Sequence, residues 1–129
     1  MGTDEDKTIY DEIIQKFNEY QEKDFKHTRG FKKVYKMAND LLKSSSNLSD
    51  KEKIELHIIK GNINDDIREN LDAAIREYKK ALKIDSEDWT IWYNLGVSYG
   101  RKGEADLAIS IYKKVIKLNP NFAPAFYNR

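Results

Sequence analysis

Apolar residues recur along the chain at intervals of three and four. Tyr10, Ile13, Ile14, Phe17 and Tyr20 form one such series, and Phe31, Val34, Tyr35, Ala38, Leu41 and Leu42 form a second. A helix turns once in 3.6 residues, so each series lies on one helix face, and the spacing predicts two amphipathic helices in the first third of the chain. His27-Thr28-Arg29-Gly30 supplies a break between them, and the polar run Lys43 to Asn47 ends the second. Ser49-Asp50-Lys51-Glu52 then has the form of a capping box, in which a Ser oxygen and a Glu carboxylate satisfy free N–H groups at a helix start. The third helix carries Ile54, Ile58 and Ile59 and is expected to fade at the polar run Asn62 to Glu69, read as an inter-helix turn.

Beyond this point the pattern repeats. Ala74, Ile75, Tyr78, Leu82 and Ile84 return 34 residues later as Ala108, Ile109, Tyr112, Ile116 and Leu118. Lys79, Lys80 and Lys83 return in the same register as Lys113, Lys114 and Lys117, and Trp92-Tyr93-Asn94 returns as Phe126-Tyr127-Asn128. A fixed period of this size means stacked helical units, none of which can bury its own apolar face alone.

The period and the residues together resemble the tetratricopeptide-repeat (TPR) family. Trp92, Leu95, Gly96 and Tyr99, then Ala108 and Tyr112, then Pro120 stand where its signature has Trp, Leu, Gly and Tyr, then Ala and Phe, then Pro. Gly96 and Ala108 are small where paired helices approach closely, Gly103 suits a helix end that needs a left-handed residue, and Pro120 stops the next helix. The resemblance covers 89–122 fully. It is looser over 54–88, where Ser86 replaces the Pro and the 35 residues from Gly61 to Gly96 imply a turn one residue longer. It is partial over 123–129, and Pro124 suits the first turn of a further helix there.

The expected fold is all-α: an antiparallel helix-pair solenoid, TPR-like and right-handed, of six helices and a partial seventh. Residues 1–48 are expected to form a non-repeat helical pair that caps the stack, and 49–129 the repeat region. The resemblance implies a concave groove, built from the first helix of each repeat, that holds a peptide or a partner helix. Matched residue by residue, the groove positions are Ile58 and Asn62, then Tyr93, Asn94, Val97 and Arg101, then Tyr127 and Asn128. An Asn amide both donates and accepts, so a ladder of them can hold a peptide backbone. One subclass grips acidic C-terminal tails with a cationic clamp. Ile58, Pro124 and Asn128 occupy its cationic places, so that clamp is not expected.

Composition narrows the chemistry. Among 129 residues, 40% are apolar and 35% charged, the net charge is +1 and there is no cysteine. That excludes a disulfide framework and thiolate chemistry, and it gives no overall field for nucleic acid or an acidic membrane. The lysines at 79, 80, 83, 113, 114 and 117 could hold phosphates, but acids such as Glu77 interrupt them, so they are read as a solvated convex surface. His27 and His57 belong to no triad or metal motif. Asn62-x-Asn64-x-Asp66 opens like a calcium loop, but Ile67 and Ala73 stand where that loop needs Gly and Glu.

The expected function is therefore a protein-interaction module, with a structural end-cap or oligomerisation segment of a longer repeat protein as the alternative. No enzymatic activity, cofactor or metal is expected. The expected partner is a protein or peptide, with no nucleic acid and no membrane, and with self-association through the C-terminal end. The polar, acidic start and the lack of a long apolar run point to the cytoplasm, with the nucleus as the alternative.

Overall fold

The computed structural model describes residues 3–22, 28–66 and 69–122, and all regular structure among them is helical. The helices are α1 (Thr3–Glu22), α2 (Thr28–Ser44), α3 (Asp50–Asp66), α4 (Leu71–Ile84), α5 (Trp89–Arg101) and α6 (Ala105–Leu118), followed by a 3₁₀ turn, Pro120–Phe122. Neighbours in sequence pack as neighbours in space, α1 on α2, α3 on α4 and α5 on α6, with α2–α3 and α4–α5 joining the pairs into a solenoid.

Local chemistry sets the ends. At the start of α3, the Ser49 N–H donates to Glu52 Oε1 at 2.9 Å and the Glu52 N–H to Ser49 Oγ at 3.1 Å, which completes the capping box. Asn70 caps α4 by accepting from the Ala73 N–H, and Asp88 caps α5 by accepting from the Thr90 N–H. Gly103 has φ +93°, and the chain past it turns back so that the Glu104 N–H donates to the Tyr99 carbonyl at 2.9 Å. Pro120 stands two residues past the end of α6.

Two buried clusters form the core. Ile13, Phe17, Phe31, Val34, Ala38 and Leu41 from α1 and α2 meet Leu56, Ile59 and Ile63 of α3. Ala74, Ile75, Tyr78 and Ala81 of α4 meet Ile91, Leu95, Tyr99, Ala108 and Ile111 of α5 and α6, with Ile54 and Ile58 of α3 packed against them. Helix α3 therefore serves both clusters and is the joint of the molecule.

Gly61 and Gly96 occupy matching places on α3 and α5, each pressed against a tyrosine of the following helix, Tyr78 and Tyr112. Four residues (67–70) lie between α3 and α4 but three (102–104) between α5 and α6, which accounts for the longer interval between the two glycines. The first pair reverses the arrangement, with the tyrosine (Tyr20) on α1 and the glycine (Gly30) on α2.

Three readings need correction. The polar residues 62–66 are the last turns of α3, not a turn: Asn64 is 0% exposed and Asp65 5%, because other helices supply polar partners to that end. Gly30 lies inside α2 and serves close packing on the Tyr20 ring, not a break. Glu77 does not interrupt a surface stripe, since it is buried against α3.

Candidate functional site

The first helices of successive pairs shape a crevice of about 340 Å³. Ile14, Phe17 and Asn18 of α1 form one wall, and Ile54, Glu55, Ile58 and Asn62 of α3 form the floor. Asp88 and Thr90 close it at the start of α5. The surface is mixed: an aliphatic and aromatic base, an amide at Asn18 and another at Asn62, and opposite charges at Lys51 and Glu55. Glu55 accepts a hydrogen bond from the Tyr10 hydroxyl at 3.2 Å, and burial together with Glu55 pushes the Tyr10 phenol up. Asn62 Oδ1 accepts from the Tyr78 hydroxyl at 2.5 Å, so the amide NH₂ is the part of Asn62 that can serve a ligand.

The eight residues expected in a groove fall into groups. Ile58 and Asn62 line the crevice. Tyr93, Asn94 and Val97 are half-buried on α5. The Tyr93 ring packs edge-on against Phe122 with centroids 5.0 Å apart, beside a Trp89–Phe122 contact at 4.7 Å, in an aromatic patch of α5 and the 3₁₀ turn. Arg101 is held by α3: its guanidinium pairs with the Asp65 carboxylate, lies 3.5 Å from Asp66 and donates to the Asp65 carbonyl. A ligand would compete with two carboxylates for it. Tyr127 and Asn128 lie outside the described residues, as do Pro124, Phe126 and His27.

The wall from α1 was not among the expected groove residues. The available signal was the width of its stripe: Ile13 and Ile14 are adjacent, about 100° apart around the helix, so the apolar face is broad enough to reach past the α1–α2 contact. Ile13 is wholly buried, while Ile14 is half-buried at the crevice.

Two polar networks lie beneath the surface. In the first, Glu77 of α4 accepts from His57 Nδ1 at 2.9 Å and pairs with Lys60 at 3.2 Å, and Lys60 also donates to Asn39 of α2 at 2.9 Å. Burial alone would push the Glu77 carboxyl up, but the His57 hydrogen bond and the Lys60 charge outweigh it and bring it down to about 2. An ionised Glu77 only accepts, so His57 carries hydrogen on Nδ1. In the second, the wholly buried Ser98 hydroxyl donates to Asp65 Oδ2 at 2.7 Å, beside the Arg101 pair. Both networks are engaged between helices: the first joins α3 to α4 and α2, and the second joins α3 to α5. Among the described residues, no group of three or more His, Asp or Glu could hold a metal ion, and no helix is long and apolar enough to cross a membrane.

Stacked helix pairs, matched glycine–tyrosine contacts and a crevice on the first helices define a helical-repeat scaffold. The chain carries repeats of the tetratricopeptide-repeat family: residues 67–103 match its TPR repeat and residues 89–122 its tetratricopeptide repeat. The family is one of protein-interaction scaffolds and is in general non-catalytic. Among similar proteins, the peroxisomal targeting signal receptor of Candida albicans is 35% identical over 60 residues, 46% of this chain and 10% of that protein. The TPR repeat-containing protein MJ0941 of Methanocaldococcus jannaschii is 34% identical over 61 residues, 47% of this chain and 18% of that protein. The photosystem I assembly protein Ycf3 of Acaryochloris marina is 31% identical over 62 residues, 46% of this chain and 37% of that protein. The chain thus spans between a tenth and roughly a third of the length of these relatives. The crystal structure of MamA is similar over 91% of this chain and 72% of that one, with a TM-score of 0.54 and 26% identity.

Proposed function

We propose that the chain is an adaptor that holds a peptide or helix of a partner protein along the first helices of its pairs, anchored in the crevice between α1 and α3. The observation that carries this reading is the crevice itself, where residues of α1, α3 and the start of α5 converge around an apolar floor with amide groups beside it. Sites for small peptides have this make-up: apolar surface for affinity and a few polar groups for orientation. An apolar ligand side chain would enter among Ile14, Ile54 and Ile58, and the Asn62 amide would donate to the ligand backbone. Asn94 and Val97 extend the same track along α5, with Tyr93 and Arg101 at its edges; Tyr127 and Asn128, which match Tyr93 and Asn94 in the 34-residue register, lie outside the described residues. Similar proteins named as a receptor for a targeting signal and as an assembly protein support a role in engaging other proteins.

The test begins with a peptide selected against the whole chain from a random display library, then titrated into isotope-labelled protein. Resonance shifts concentrated at Ile14, Asn18, Ile54, Ile58 and Asn62 are expected. Shifts confined to the lysines of α4 and α6 would overturn the reading.

A further inference from the structure

Charge is unevenly placed around the crevice. Glu55 stands half-buried on its floor, and its partner is a neutral group, the Tyr10 hydroxyl. Asp88, also half-buried, closes the crevice with Oδ1 accepting from both the N–H and the hydroxyl of Thr90. Among the described residues, neither carboxylate forms an ion pair. Burial, Glu55, Glu52 and Asp11 all push the Tyr10 phenol up, so three carboxylates act where Tyr10 meets the floor. Among the described residues of the lining, Lys51 is the one cation, and it is exposed. It stands four residues before Glu55 without bridging to it, and Lys before Glu is the weaker order for such a helix pair. The net charge of +1 conceals this polarity. Lys79, Lys80 and Lys83 of α4 and Lys113 and Lys117 of α6 are exposed on the second helices and do not line the crevice.

We propose that the occupant of this crevice is a basic peptide segment, with a Lys or Arg one or two residues from the aliphatic side chain seated among Ile14, Ile54 and Ile58. The inference rests on the reading of the crevice as a peptide site and adds the charge of its ligand. Any segment that fills the crevice strips water from Glu55. A neutral or acidic segment leaves that carboxylate desolvated without return, whereas a ligand cation replaces the lost water with a charge-assisted hydrogen bond. The spacing follows from the helix. Glu55 adjoins Ile54 and precedes Ile58 by three residues, about 4.5 Å along the axis of α3. One or two residues of extended peptide span about 3–7 Å, so an anchor among the isoleucines and a cation at Glu55 are served by one short segment. Asp88, at the mouth, adds to the field that draws a cation in.

The probe is a random heptapeptide display library, panned in parallel against the whole wild-type chain and against Glu55→Gln. Gln keeps an acceptor for the Tyr10 hydroxyl, and Asp88→Asn keeps the cap of α5, so both changes remove charge and leave the local hydrogen bonds. Peptides enriched on the wild type are expected to carry Lys or Arg within two residues of an aliphatic residue more often than the unselected library, and those enriched on Glu55→Gln are not. The most enriched peptide, resynthesised, should bind Glu55→Gln roughly threefold or more weakly, as for loss of a partly solvated ion pair. Asp88→Asn should also bind it more weakly and Lys51→Glu more tightly, and all three variants should melt like the wild type. Peptides that shift crevice resonances but show no basic excess, or that bind wild type and Glu55→Gln equally, would overturn the inference and leave the peptide-site reading standing. Panning that enriches nothing, or shifts that fall outside the crevice, would overturn both.

Discussion

Gly96 lies against the ring of Tyr112 so closely that a Cβ built on it would stand 2.6 Å from Cε1 of that ring. The tyrosine is half-buried and has room to give. Gly61 has the same relationship with Tyr78, which is only 2% exposed and has none. Gly100 differs, since a Cβ there would meet the Ala108 Cβ at an ordinary 3.8 Å.

These distances order a set of alanine substitutions. Gly61→Ala should destabilise by about 1–3 kcal/mol, the usual cost of overpacking a core. Gly96→Ala should cost less, because the half-buried ring can swing outward. Gly100→Ala should stabilise by roughly 0.5–1 kcal/mol, because it removes a glycine from an exposed helix position. Urea denaturation of the three variants checks the order, and a Gly61→Ala protein as stable as wild type contradicts it.

Stability should fall in acid through Glu77. Its carboxyl is lowered from 4.5 to about 2 in the fold, so its contribution is complete above the unfolded value and is lost as pH drops from 4.5 to about 2. The size is on the order of 3 kcal/mol. Chemical denaturation at several pH values should show this slope in the wild type and a flatter one in Glu77→Gln. If Glu77→Gln retains the full slope, other carboxylates are responsible.

Asp65 ties α3 to α5 through Ser98 and Arg101. Asp65→Ala should cost about 2–4 kcal/mol, since it leaves a wholly buried hydroxyl without its acceptor. Arg101→Ala should cost less, about 1 kcal/mol, because that side chain is 45% exposed and solvent can replace part of the pair. Melting curves of the single and double variants form a cycle, and additive losses would mean that the pair does not couple the helices.

Binding should follow the first helices and not the lysines. Asn94→Ala should weaken a groove ligand by about 0.5–1.5 kcal/mol, the worth of one hydrogen bond, with little change in melting. Replacing Lys79, Lys83, Lys113 and Lys117 by Ser should leave affinity for that ligand unchanged. It should lower stability slightly, by about 0.5–1 kcal/mol, through loss of the Lys79–Tyr99 contact. Titration calorimetry with the selected peptide separates the two, and lost binding in the lysine variant alone would move the site to α4 and α6.

The repeats were legible because their signals are local. Apolar spacing places the helices, and the small, aromatic and Pro positions of 89–122 mark one full unit. The capping box at Ser49 and the left-handed Gly103 depend only on neighbours in the chain, and both stand in the structure as read. The crevice was half legible. Ile58 and Asn62 follow from the repeat register, but Ile14, Phe17 and Asn18 come from a helix pair that carries no repeat signature.

By itself the sequence determined the helices, the 34-residue register and the family, since periodicity and steric need are written into consecutive residues. Only the tertiary structure decided which polar groups are inside. Asn64, Asp65 and Glu77 read as surface or turn residues because polar side chains prefer water. They are buried where Tyr35, Ser98, Arg101, His57 and Lys60, distant in the chain, bring polar partners to them, although the Asn64 amide oxygen is left without one. The tertiary structure likewise decided that Ile75 and Ile109, identical residues in identical registers, differ in exposure, because α5 packs on α4 and no described helix packs in the same way on α6. A residue's type states what it could bury or bind, but its partners across the fold determine whether it does.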